Sequence, residues 1–114
     1  VKTTYIIRDP DDGYFAAAIA DLVRWPTEKS KNYVITRINV MDKYRGMGFG
    51  TQILETILKD ADEEGIRLFL EPSASGGLSQ DELIEWYKRH GFTQDAWHLM
   101  RKPNKENREQ KRDE

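Results

Sequence analysis

An α+β fold with a mixed sheet is predicted by three features of the sequence. Runs of β-branched and aromatic residues open the chain, two segments with helical spacing interrupt the later strands, and a glycine-rich stretch, Arg45-Gly46-Met47-Gly48-Phe49-Gly50, lies between a strand pattern and a helix pattern. With 114 residues, 38% of them apolar, the chain can bury one core, so a single domain is expected over residues 1–101.

The elements follow in order. Thr3 to Ile7 is β-branched and aromatic, and Asp9-Pro10-Asp11-Asp12-Gly13 supplies turn chemistry after it. Tyr14 to Leu22 contains three alanines that favour a helix, but its aromatic start just after a turn suits the second strand of a hairpin, and a strand is expected. Trp25-Pro26 and the polar stretch to Asn32 read as a connection. The strand Tyr33 to Met41 is expected to alternate, with Val34, Thr36, Ile38 and Val40 on one face and Tyr33, Ile35, Arg37 and Asn39 on the other.

Beyond the glycine loop, Ile53, Leu54, Ile57, Leu58 and Ala61 recur at helical spacing, and Gly65 stands where the helix ends. Arg67 to Glu71 is a buried strand, Pro72 to Gly77 a flexible loop, and Ser79 with Glu82 a capping box that opens a second helix closed by Gly91. A last strand or hairpin is expected within Phe92 to Met100, and the segment from 33 to 71 should form a right-handed strand–helix–strand crossover. Residues 102–114 are charged, lack an apolar run and are expected to be a disordered tail.

Eighteen Lys and Arg against twenty Asp and Glu leave a formal charge of −2, with the two signs interleaved, so no nucleic-acid partner is indicated. The absence of cysteine removes disulfides, thiolate metal sites and cysteine nucleophiles, and the isolated His90 and His98 make a poor metal site; no metal is expected. No long apolar run and no leader pattern is present, which points away from a membrane and toward a cytoplasmic protein.

A loop that leaves a strand and enters a helix aims several backbone N–H groups at one spot, reinforced by the helix dipole, and so suits an anion such as phosphate. Gly46, Gly48 and Gly50 would permit positive φ angles and close approach to the backbone. The ATP-type phosphate loop needs Lys-Ser/Thr after its last glycine, whereas Thr51-Gln52 stand here, and the dinucleotide fingerprint finds Thr51 in place of its third glycine. Taken alone, the three glycines are also compatible with a plain tight turn.

The run Val40-x-x-x-Tyr44-Arg45-Gly46-Met47-Gly48-Phe49-Gly50-Thr51 resembles the acetyl-CoA loop of the GNAT superfamily of N-acetyltransferases, with its Gln/Arg-x-x-Gly-x-Gly/Ala core filled by Arg45, Gly48 and Gly50. Farther on, Trp86-Tyr87-Lys88-Arg89-His90-Gly91-Phe92 resembles the Tyr-x-x-x-Gly-Phe ending of that family's second core helix. The resemblance covers roughly residues 33–100. It implies an acyl-CoA N-acyltransferase fold, a central, mostly antiparallel sheet flanked by helices, shortened at the N-terminus where the family has a further strand and two helices.

The same resemblance implies acetyl-CoA as co-substrate. Ile38, Asn39 and Val40 would hold the pantetheine arm and acetyl carbonyl, and Arg45, Gly46, Met47, Gly48, Phe49, Gly50 and Thr51 would hold the pyrophosphate. Gln80, where the family often has asparagine, would hydrogen-bond the pantetheine. The implied reaction is direct attack of a primary amine on the thioester, through an oxyanion stabilised by a backbone N–H near Val40.

Tyr87 is in the family's position for the general acid, although an aromatic on the apolar face of a helix is also ordinary core. The strand before the loop lacks the family's usual carboxylate base, which leaves Glu71, or no dedicated base at all. The acceptor is expected to be an amine of a small molecule or a protein; an open front would suit a protein or peptide amine, or closure by a second copy in a homodimer. A catalytically degenerate member that binds CoA or a protein partner without turnover, and a small interaction domain that binds no CoA, are the alternatives to an active enzyme.

Overall fold

The computed structural model describes residues 1–73, 78–96 and 98–104. The expected flexible loop at 74–77, Trp97 of the expected last hairpin, and residues 105–114 of the expected tail lie outside them. The strands are β1 (Thr4–Arg8), β2 (Ala16–Arg24), β3 (Asn32–Val40), β4 (Arg67–Leu70), β5 (Thr93–Asp95) and β6 (His98–Arg101), and the helices are α1 (Phe49–Glu64) and α2 (Gln80–Arg89). They form a six-stranded sheet in the order β1-β2-β3-β4-β6-β5. Only β3 and β4 run parallel; every other neighbouring pair is antiparallel.

Each element forms for a local reason. The alanines of β2 are strand residues, and Ala18 and Ala20, on the face covered by α1, are fully buried because small side chains let the helix pack close to the sheet. Helix α1 buries Ile53, Leu54, Ile57, Leu58 and Ala61 and stops at Gly65, whose φ of 70° supplies the left-handed C-cap. Helix α2 starts on the complete capping box of Ser79 and Glu82.

The expected alternation of β3 is corrected by a β-bulge. Leu22 pairs with Ile35 and Asp21 with Arg37, so Thr36 is an extra residue and the side-chain phase shifts across it. Tyr33 and Ile35 therefore face the core before the bulge, and Ile38 and Val40 pack against it afterwards.

Ladder partners show where the core sits. Tyr5, Ala18, Ala20, Leu22, Tyr33, Ile35, Leu68, Leu70, Leu99 and Arg101 share one face of the sheet and are buried there. Ile6 and Val23, on the other face, are 49% and 46% exposed. Arg101 ties the ends of both helices to the core face: its guanidinium donates to both oxygens of Asp62 in α1, at 2.9 and 3.0 Å, and its Nε to the His90 carbonyl after α2, at 3.2 Å. The packed chain continues past Arg101, since Pro103 is buried and Asn104 donates to Asp62 from its backbone N–H and its side chain, at 2.9 and 3.0 Å.

Candidate functional site

The parallel ladder between β3 and β4 is short. It runs from Asn32↔Arg67 to Val34↔Phe69 and then stops, so from Ile35 to Val40 the edge of β3 that faces β4 has no strand partner among the described residues. Two parallel strands that part company leave a wedge between them, and unpaired backbone in such a wedge is available to a ligand that runs alongside it.

At the end of β3 the chain makes a short 3-10 turn over Asp42–Tyr44 and enters the glycine loop. Gly46 and Gly48 have φ of 79° and 84°, and Gly48 is the N-cap of α1. A Cβ at either would meet nothing within 4 Å, so these glycines are required by their backbone angle and not by crowding. Gly50 is different, and the expectation of positive φ fails there: it sits in the first turn of α1, and a Cβ on it would lie 3.4 Å from Val40 Cγ2 and 3.9 Å from Trp86 Cζ2. A Cβ there would make ordinary van der Waals contact, so neither crowding nor backbone angle demands glycine at this position. Gly48→Ala should therefore lower stability by about 1–2 kcal/mol, the cost of a left-handed Cβ, whereas Gly50→Ala should stay near wild type; paired urea unfolding curves check the contrast.

Arg45 N–H donates to Asp42 O and Gln52 N–H to Gly48 O, while between them the N–H groups of residues 46–51 have no backbone acceptor among the described residues. They stand at the positive end of a sixteen-residue helix. Donors without a backbone acceptor at a helix mouth suit an anion by both geometry and field. The Arg45 guanidinium is paired with Asp42 at 2.9 Å and so braces the turn.

Wedge and loop open into one cleft of about 490 Å³. Of the residues expected from the sequence, Ile38, Asn39, Val40, Arg45, Gly46, Gly48, Phe49, Gly50, Thr51, Glu71 and Tyr87 line it. Met47 and Gln80 do not: Met47 is 65% exposed, and the Gln80 amide donates to the Pro72 carbonyl at 2.8 Å, bracing the segment after β4. Trp86 and Leu83 of α2 are lining residues that the sequence reasoning missed. Their signal was the three-residue spacing that puts both on one helical face, next to Tyr87.

Tyr87 is 6% exposed, its ring edge-on to Trp86 and Phe92 at 4.8 and 5.4 Å between centroids. Burial pushes its phenol up to about 12, so the hydroxyl stays protonated and can donate throughout the neutral range. Glu71 is exposed at the end of β4, on the rim of the same cleft.

One further contact was invisible in the sequence. The Tyr44 hydroxyl donates to Asp9 Oδ2 in a buried hydrogen bond that links the turn after β1 to the start of the glycine loop. Tyr44 holds the Asp9 carboxyl below its ordinary range, and Asp9 in turn pushes the Tyr44 phenol up to about 12. Among the described residues no group of three or more acidic or histidine side chains could hold a metal ion, and no helix is long and apolar enough to cross a membrane.

Comparison with known proteins agrees with this geometry. The family model described as Acetyltransferase (GNAT) family matches residues 2–92. Among solved structures, Ard1 from Thermoplasma volcanium aligns at 19% identity and TM-score 0.64, covering 78% of this chain and 64% of that one. The NatC complex bound to Gag peptide and CoA aligns at 16% identity and TM-score 0.69, covering 88% and 70%. The ribosomal-protein-S18-alanine N-acetyltransferase from Escherichia coli aligns at 19% identity and TM-score 0.62, covering 76% and 61%. At these identities the likeness is one of fold, and the chain spans less than two thirds of the length of the first and last of these proteins. No curated protein sequence matches.

Proposed function

We propose, from the premise that this chain belongs to the acetyltransferase (GNAT) family, that it transfers the acetyl group of acetyl-CoA to a primary amine of a small molecule or a protein, by direct attack within a ternary complex. The observation that carries this reading is the convergence, in one cleft, of the free amides at the mouth of α1, the unpartnered edge of β3 and the buried Tyr87 phenol. The amides suit the diphosphate of CoA, and the open edge between Ile38 and Val40 suits the amide-bearing pantetheine arm. Acetyl-CoA, when bound, supplies the activated acyl group.

The remaining roles belong to the chain's own residues. Tyr87 holds a proton at its hydroxyl, ready for the thiolate that departs as the tetrahedral oxyanion collapses and the carbon–sulfur bond breaks. The attacking amine must first lose a proton, and the Glu71 carboxylate at the rim of the cleft receives it through water. The two faces of the cleft thus divide the work: loop and strand bind, α2 and the end of β4 handle protons.

Incubation with acetyl-CoA and a panel of amines and peptides, followed by mass detection, tests the reading. An acetylated product is expected in at least one class of acceptor. No consumption of acetyl-CoA with any of them, while CoA still binds, would leave a CoA-binding protein without turnover.

A further inference from the structure

Tyr44 stands at one end of the glycine loop and Phe49 at the other, and their rings meet edge to face, 5.8 Å between centroids and 81° between planes. That contact closes residues 45–48, which include both left-handed glycines, at the base. A four-residue segment with two such glycines has many alternative shapes in isolation, and ordering it on ligand binding would subtract directly from affinity.

Tyr44 is itself held from outside the loop. Asp9 uses one oxygen, Oδ1, to organise its own turn, accepting from the backbone N–H groups of Asp11 and Asp12 at 2.8 and 3.3 Å. The Asp9 N–H donates to the Phe15 carbonyl at 2.8 Å, which fixes the residue in place. The other oxygen, Oδ2, contributes nothing to that turn and accepts the Tyr44 hydroxyl. Both residues are buried, and Asp9 does not line the cleft, so any effect it has on a ligand passes through Tyr44.

We infer that Asp9 and Tyr44 form a positioning pair that presets the glycine loop in its diphosphate-binding shape. The inference rests on the acetyl-CoA reading above. It makes Asp9 a determinant of affinity for the diphosphate portion of CoA and not for its pantetheine portion, which lies along β3.

The test compares two ligands on Asp9→Asn and Tyr44→Phe; the latter keeps the ring contact with Phe49 and removes only the hydroxyl. Calorimetry with CoA should give a Kd raised roughly tenfold in each variant, with the double variant no weaker than the worse single one. Binding of S-acetylpantetheine, which lacks the diphosphate, measured by ligand-observed NMR, should be unchanged in Asp9→Asn. Unchanged CoA affinity in both variants, or equal weakening toward both ligands, overturns the pair's role. A wild-type protein that binds S-acetylpantetheine and CoA equally well, or binds neither, overturns the acetyl-CoA reading itself and is recognised before any variant is made.

Discussion

Tyr87→Phe is expected to lower turnover by roughly 100-fold or more while leaving acetyl-CoA affinity close to wild type. The substitution deletes one oxygen from a ring that is otherwise held by Trp86 and Phe92, so packing in the core is preserved. What is lost is a hydroxyl kept protonated by burial in a cleft that also contains the loop and the open edge of β3. A proton donor acts on the departing thiolate and not on the bound ground state, so the effect should fall on kcat and kcat/KM together. Steady-state kinetics with the acceptor found in the panel, alongside calorimetry with CoA, measure the two halves of the prediction. Equal turnover in both proteins would assign Tyr87 to packing alone.

Asp62→Ala should cost about 3–5 kcal/mol of folding stability, the penalty for stranding a buried guanidinium. The Arg101 side chain is only 8% exposed, and Asp62 receives its fork with both oxygens. Three elements meet at this point, α1 through Asp62, the end of α2 through His90, and β6 through Arg101 itself. Gly91, with φ of 93°, makes room there: a Cβ on it would lie 3.3 Å from Arg101 Nε. The penalty comes from the orphaned charge, so the double variant Asp62→Ala/Arg101→Met should be less destabilised than Asp62→Ala. Urea unfolding of the two variants and wild type decides it.

The sequence made the helices legible because their signals are local. Ile53 to Ala61 announce a face and Gly65 a stop, and the capping box of Ser79 and Glu82 is contained in four residues. The two motifs at Arg45–Gly50 and Tyr87–Phe92 marked the glycine loop and Tyr87 on the cleft for the same reason. What stayed hidden depends on partners distant in the chain. The phase of β3 is reset at Thr36 by its pairing with β2, which no alternation rule within β3 contains. Asp9 looked like one more turn residue, and only the folded chain brings it to Tyr44. Gly50 looked like its two neighbours, yet it lies within the first turn of α1 with room for a Cβ in ordinary contact with Val40 and Trp86, which only the packed chain shows.

In the proposed function the amides of residues 46–51 are the grip on CoA, and amide NMR during a CoA titration observes them directly. The expected result is that these resonances move and their hydrogen exchange slows in step with saturation at a single site. Saturation that leaves them unmoved, or no binding at all, would contradict it.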